Sequence, residues 1–415
     1  MHPILLTFLV LLLLKFIFEL TLSLLNSRYV KRHQGPVPAA FAEVMDQETY
    51  DKASKYTLTR LQFGRWENAF DTLLLALILG SGFLAWLYQS FTSFLGEGVW
   101  GQALVLFSVT FLLGLFSIPF EYYNQFRLEE RFGFNKSTVK LWLSDKLKGL
   151  IINVILVVPL LAGLLWLVGL FPTTWWLVGF IAFFGISLLL MVLYPMIILP
   201  WFNKLEPLEA GELRDRLMEL ADRTGFKAET IQVMDGSKRS GHSNAFFTGF
   251  GKFRRIVLFD TLMEQLKENE LEAVLAHEIG HYRLGHIPKM LIVSAVGGLV
   301  GFWCLYFLSG QAWFLEAFGF EAGGGLAPVF LLFGLVSGVV TFWISPLSSI
   351  WSRKYEYQAD RFARDAMNEP QSLVAALHRL SQKNLSNLTP HPLYSAWYYS
   401  HPTLFEREAA LKELA

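Results

Sequence analysis

Seven apolar runs dominate this chain: Pro3–Leu25, Ala69–Tyr88, Leu104–Phe120, Leu150–Phe171, Trp175–Leu199, Ile287–Leu308 and Leu326–Ile344. Most approach the ~20 residues that cross a bilayer as helix, the third and seventh being the shortest. That constrains the chain to a mainly α, polytopic membrane protein with lipid around it. The 415 residues are 53% hydrophobic and carry 35 basic against 35 acidic side chains. Bulk charge therefore gives no basis for binding nucleic acid, and none is expected as a partner.

The first run has no basic residue before it, is too long for a signal-peptide core, and is followed by its charges, Arg28, Lys31 and Arg32. It reads as a retained anchor with the N-terminus outside. Lys and Arg favour cytoplasmic loops. The first loop carries Arg28, Lys31, Arg32, Lys52, Lys55, Arg60 and Arg65, and the third is similarly basic, whereas the loops near Gly96, Thr173 and Phe318 have no Lys or Arg. This alternation fits seven spans and predicts that residues 200–286 and the C-terminus are cytoplasmic. Compactness alone suggests a bacterial inner membrane.

Residues 1–200 hold five spans, 201–286 form a polar α+β segment, 287–350 hold two more spans, and 351–415 make a helical tail. The single cysteine, Cys304 in the sixth span, excludes an intrachain disulfide and a cysteine-ligated zinc site, and reads as a buried structural thiol. In the polar segment, Leu208–Thr224 has helical periodicity. Thr230–Met234 and Arg255–Phe259 look like strands, separated by a Gly- and Ser-rich stretch from Gly236 to Gly251. Asn269 as N-cap, with Glu272 three residues on, predicts the start of the next helix. Inside or at the rims of the spans lie Lys15 with Glu19, Glu67 with Asp71, and Glu121. The i,i+4 spacing fits salt bridges or snorkelling, and equally fits helices that face a hydrated cavity.

The predicted helix carries His277-Glu-Ile-Gly-His281. Residues four apart share a helix face, so both imidazoles can reach one ion, as in the H-E-x-x-H arrangement of zinc peptidases. Glu278 can reach a water beside that ion without binding it, the position of a general base. His286 lies on another face and reads as a helix-end or structural residue. A catalytic zinc needs a third ligand. The metzincin pattern would place Gly at 284 and His at 287, where the chain has Leu284 and Ile287. The alternative is a downstream glutamate, for which Glu356 in Tyr355-Glu-Tyr-Gln-Ala-Asp360 is the best candidate. Asp360, one turn on, can orient a ligand imidazole or supply a proton.

The chain resembles the type I CAAX prenyl proteases, integral-membrane zinc metalloproteases with a glutamate ligand. The likeness rests on Glu130-Arg-Phe-Gly-Phe-Asn-Lys-Ser137, His242-Ser-Asn-Ala-Phe246, Arg255-Ile-Val-Leu-Phe-Asp-Thr261, the H-E-x-x-H helix, Glu356 with Asp360, and Tyr399-Ser-His-Pro-Thr403 with Arg407. It implies a seven-helix barrel around a water-filled chamber, closed by a small zincin-like domain. It also implies one Zn²⁺ held by His277, His281 and Glu356, Glu278 as base, and a supporting catalytic part for Asp360.

Residues His242–Gly249 read as a strand beside the active helix, whose edge can hold an extended peptide, with Asn244 donating to its backbone or simply shaping a turn. His401 suits the oxyanion side of the reaction, and Arg407 either the same task or a substrate carboxylate. The expected activity is endoproteolysis at a peptide or lipidated-peptide C-terminus. Two rivals are a heat-shock membrane metalloprotease that degrades damaged proteins and, from another class, a non-catalytic transporter or scaffold. Loss of cleavage in Glu278→Gln would distinguish the latter.

Overall fold

The computed structural model describes residues 1–226, 230–248 and 255–413. Gly249 of the expected strand, the end of the glycine-rich stretch and the last two residues of the tail lie outside the described residues. Helix α1, Pro3–Arg32, starts with Pro3 in its first turn and His2 accepting from the Ile4 amide. Helix α2, Gln47–Gly80, is capped by Asp46, which accepts from Thr49 N at 2.7 Å. It breaks by 67° before α3, Phe83–Leu95. The Ala69–Tyr88 run is thus a bent pair rather than one straight span. The break falls at Gly82, whose φ of 75° suits a residue without Cβ. Helices α4 (Val99–Phe132), α5 (Val139–Leu170) and α6 (Trp175–Phe202) follow.

After the polar segment come α9 (His286–Ser309) and α10 (Leu326–Thr341), the latter bent by 63° from α11, Ser345–Met367. Among the described residues, five helices are long and apolar enough to cross a membrane, or up to seven when each bent pair counts as one span. Their shared core joins Leu12, Leu79, Leu84, Val109, Val158 and Leu332. Outward side chains such as Leu13, Trp166, Ile181 and Ile292 are exposed, an apolar surface suited to lipid. Cys304 is half-buried rather than buried.

The polar segment builds a four-stranded sheet in the order β1-β2-β4-β3. Strand β1 is Leu205–Pro207, β2 Thr230–Met234, β3 Ala245–Thr248 and β4 Arg255–Phe259. The two strand-like runs pair in parallel, Ile231 opposite Ile256, and β3 runs antiparallel to β4 at the sheet's edge. The expected helix over 208–224 starts later, as α7, Glu212–Arg223.

Helix α8, Glu268–Arg283, begins before the expected Asn269 cap. The amide of Lys267 donates to Glu270 Oε2 at 2.9 Å, so the reciprocal acid sits two residues earlier than expected. Asn269 instead donates to Ser372 Oγ in α12, Gln371–Lys383, and Glu272 accepts from Arg216 and Arg223 of α7. Leu217, Leu220, Ile256, Leu258, Leu275 and Ile279 pack between sheet and helices as a second core, completed by Leu411 of α13, Leu404–Glu413.

Candidate metal and active centre

Two helices carry the centre, and one glycine sets their separation. Gly280, between the two histidines of α8, faces α11. A Cβ there would sit 3.1 Å from Ala359 Cα and 3.1 Å from Phe362 Cβ. Ala359 and Ala363 are fully buried, so small residues on both sides let the helix backbones approach. This closeness brings Glu356 and Asp360 against the histidines.

His277 Nε2 and His281 Nε2 are 3.2 Å apart, and Glu356 lies 3.4 Å from the first and 3.3 Å from the second. Ligands bound tetrahedrally at about 2.0–2.1 Å stand about 3.3 Å from one another, so the three groups fit one Zn²⁺. Glu356 is 3% exposed, and its Oε2 makes no hydrogen bond. A buried carboxylate oxygen without a hydrogen bond calls for a cation. Burial alone would lower the His277 pKa, but the Asp360 carboxylate on its Nδ1 and the Glu356 carboxylate 3.4 Å from its Nε2 raise it to about 9.

Around these ligands, His277 Nδ1 meets Asp360 Oδ1 at 2.8 Å, and Asp360 accepts two hydrogen bonds from Arg407, at 2.8 and 2.5 Å. The Arg407 guanidinium is thereby buried and engaged. His401 Nε2 stands 3.4 Å from Glu356 Oε1, and its Nδ1 lies 3.0 Å from Ser400 Oγ. Glu278 makes no hydrogen bond among the described residues, and burial pushes its carboxyl above the usual range although His277 and His281 oppose this.

A cavity of about 920 Å³ reaches His401 and Arg407 beside this centre, with Glu19, Arg60, Asp71 and His242 also among its walls. The salt-bridge reading holds for Lys15 with Glu19 but not for Glu67 with Asp71, two acids that repel each other. Lys15 pairs with Glu19 at 2.8 Å, while Glu19, Glu67 and Asp71 line the cavity. Glu121 pairs with Lys146.

Asn244 precedes β3. Its Oδ1 accepts from the Ala245 amide at 2.9 Å and its carbonyl accepts from Phe259 N. The segment leading into β3 is docked on the third loop, a contact the sequence reading did not foresee. Gly241 N donates to Phe134 O, Lys136 N donates to Arg239 O, and the His242 ring stacks 4.0 Å from Phe134. Gly133, at φ 90°, makes the turn that presents Phe134. His286 is the helix-end residue the spacing predicts, here at the start of α9. It is 1% exposed and touches His281 directly, its Nδ1 lying 3.0 Å from His281 Nδ1.

Residues 26–204 match the family described as CAAX prenyl protease N-terminal, five membrane helices, and residues 207–415 match peptidase family M48. CAAX prenyl protease 1 of Saccharomyces cerevisiae is 36% identical, the match covering 92% of this chain and 90% of the relative. The human CAAX prenyl protease 1 homolog is 30% identical over 91% and 89%. The crystal structure of S. mikatae Ste24p superimposes with a TM-score of 0.93 at 33% identity, over 99% of each chain. The apolar helices, the clustered donors and these matches lead to one conclusion: the chain belongs to peptidase family M48, as a multi-pass membrane metalloprotease.

Proposed function

We propose that the protein is a zinc endopeptidase that trims a peptide ending Cys-a-a-X, cutting after the cysteine and releasing three residues, with a prenylated cysteine preferred. The observation that carries this reading is the convergence of His277, His281 and Glu356 on one point, beside His401 and Arg407 of the cavity wall. The relatives' names supply the substrate class. Zinc held by these three residues would supply Lewis-acid polarisation of the scissile carbonyl and acidify a water beside it.

The chain's own groups do the rest. Glu278 takes a proton from the attacking water and returns it to the leaving amine. Asp360 accepts from His277 Nδ1, which leaves the Nε2 lone pair facing the ion; it acts through His277 and touches no reacting atom. Arg407 holds Asp360 and neutralises it, a role that replaces the expected contact with a substrate carboxylate. His401 donates to the negative charge that develops on the carbonyl oxygen. The free edge of β3 pairs with the extended peptide, with Asn244 Nδ2 directed to its backbone. The basic loops support a cytoplasmic side for this centre and the C-terminus.

Matched farnesylated and unmodified peptides, followed by intact mass, test the reading. Loss of three C-terminal residues, faster for the farnesylated peptide, supports it. Cleavage of both at scattered sites would instead assign a membrane quality-control protease.

A further inference from the structure

We infer that His286 and Gln358 form a relay that fixes the tautomer of His281, making His286 a positioning residue for the metal. This rests on the zinc reading above. His286 opens α9, three residues past the end of the H-E-x-x-H helix. It is 1% exposed, and its ring stacks on Tyr355 with centroids 4.1 Å apart and planes 12° apart. One ring nitrogen faces His281 Nδ1 at 3.0 Å; the other, Nε2, faces Gln358 Oε1 at 2.9 Å. Both nitrogens of a buried imidazole are therefore occupied.

The direction of the chain follows from the metal. A ligand nitrogen must offer a lone pair, so His281 Nε2 is unprotonated and its Nδ1 carries the hydrogen. That hydrogen is donated to His286 Nδ1, which places the His286 hydrogen on Nε2. Nε2–H then donates to the Gln358 carbonyl oxygen, an acceptor. With the Gln358 amide turned about, its NH₂ would donate to His286, His286 would donate to His281, and His281 would point N–H at the ion. The relay is compatible with a metal in one direction only. Gln358 lies two residues beyond Glu356 on the same helix, so α11 supplies one ligand and also sets the tautomer of another.

The two histidines thus rest on different supports. His277 donates to a carboxylate held by Arg407, and His281 donates to a neutral imidazole and amide. Partners of this kind typically change metal affinity 10–100-fold when removed.

The test is zinc affinity of folded, detergent-solubilised protein by chelator competition, with the visible spectrum of the Co²⁺-loaded form as a second readout. The variants are His286→Leu and His286→Asn. The Asn amide oxygen falls near the position of Nδ1 and can accept from His281, whereas Leu fills the space without an acceptor. The relay predicts that His286→Leu binds zinc at least 10-fold more weakly and alters the cobalt spectrum, and that His286→Asn recovers most of the loss. Equal affinity in wild type and His286→Leu, or an equal loss in both variants, overturns it. Wild-type protein that binds no zinc would instead overturn the reading on which it rests.

Discussion

His277 Nδ1 lies 2.8 Å from Asp360 Oδ1, and the same carboxylate receives both arms of the Arg407 guanidinium. One buried acid therefore orients a ligand and anchors the C-terminal helix α13. Asp360→Ala is expected to weaken zinc binding about 10–100-fold. It also strands Arg407 as a buried charge, and breaking such a pair costs about 3–5 kcal/mol. Chelator competition and thermal unfolding of the same preparation check both. Unchanged zinc affinity would remove Asp360 from the support of His277.

Gly280→Ala should act oppositely to the usual helix preference. Alanine favours an α-helix over glycine by about 1 kcal/mol. Here its methyl would meet Ala359 and Phe362 at 3.1 Å, too close to fit without moving α8 from α11. Overpacking of this kind costs about 1–3 kcal/mol. Because the same gap sets the His277 to Glu356 distance, zinc affinity should fall along with melting temperature. A stabilised variant with unaltered zinc binding would contradict the packing argument.

Acid should loosen the tail. Burial raises the Glu408 carboxyl, but hydrogen bonds from Lys412 and His378 outweigh this and hold it below its ordinary value of 4.5. A depressed carboxylate contributes stability that is present above the ordinary value and lost as pH falls through the folded one. The stability gap between wild type and Glu408→Gln should be about 1 kcal/mol at neutral pH and close on acidification below 4.5. Melting curves across that window check it, and a gap independent of pH would contradict it.

The sequence made much of this legible, for physical reasons. Helical spacing placed His277 and His281 on one face, and the Thr230–Met234 and Arg255–Phe259 runs appear as strands with those bounds. Bends were not legible. The apolar run through Gly82 reads as one span because hydropathy carries no direction, while the break depends on a single backbone angle. The α8 cap was misplaced because Lys267 and Glu270 do through a backbone amide what Asn269 and Glu272 were expected to do through side chains. Five-residue spacing takes His286 off the helix face and marks it as a helix-end or structural residue, without showing its contact with His281. The chain turns at Gly285, φ 66°, and brings His286 back onto His281. The docking of Phe134 and Gly133 on the β3 approach joins residues about 100 apart, which no local pattern encodes.

The central claim is that three side chains hold the metal and a fourth, Glu278, moves the proton. Zinc content by atomic emission and turnover of a Cys-a-a-X peptide, measured on the same preparations of wild type, Glu356→Ala and Glu278→Gln, test it most directly. The account predicts one zinc per chain in wild type, zinc lost in Glu356→Ala, and zinc retained in Glu278→Gln with turnover reduced about 10²–10⁴-fold. Zinc lost from Glu278→Gln, full zinc in Glu356→Ala, or undiminished turnover in Glu278→Gln would contradict it.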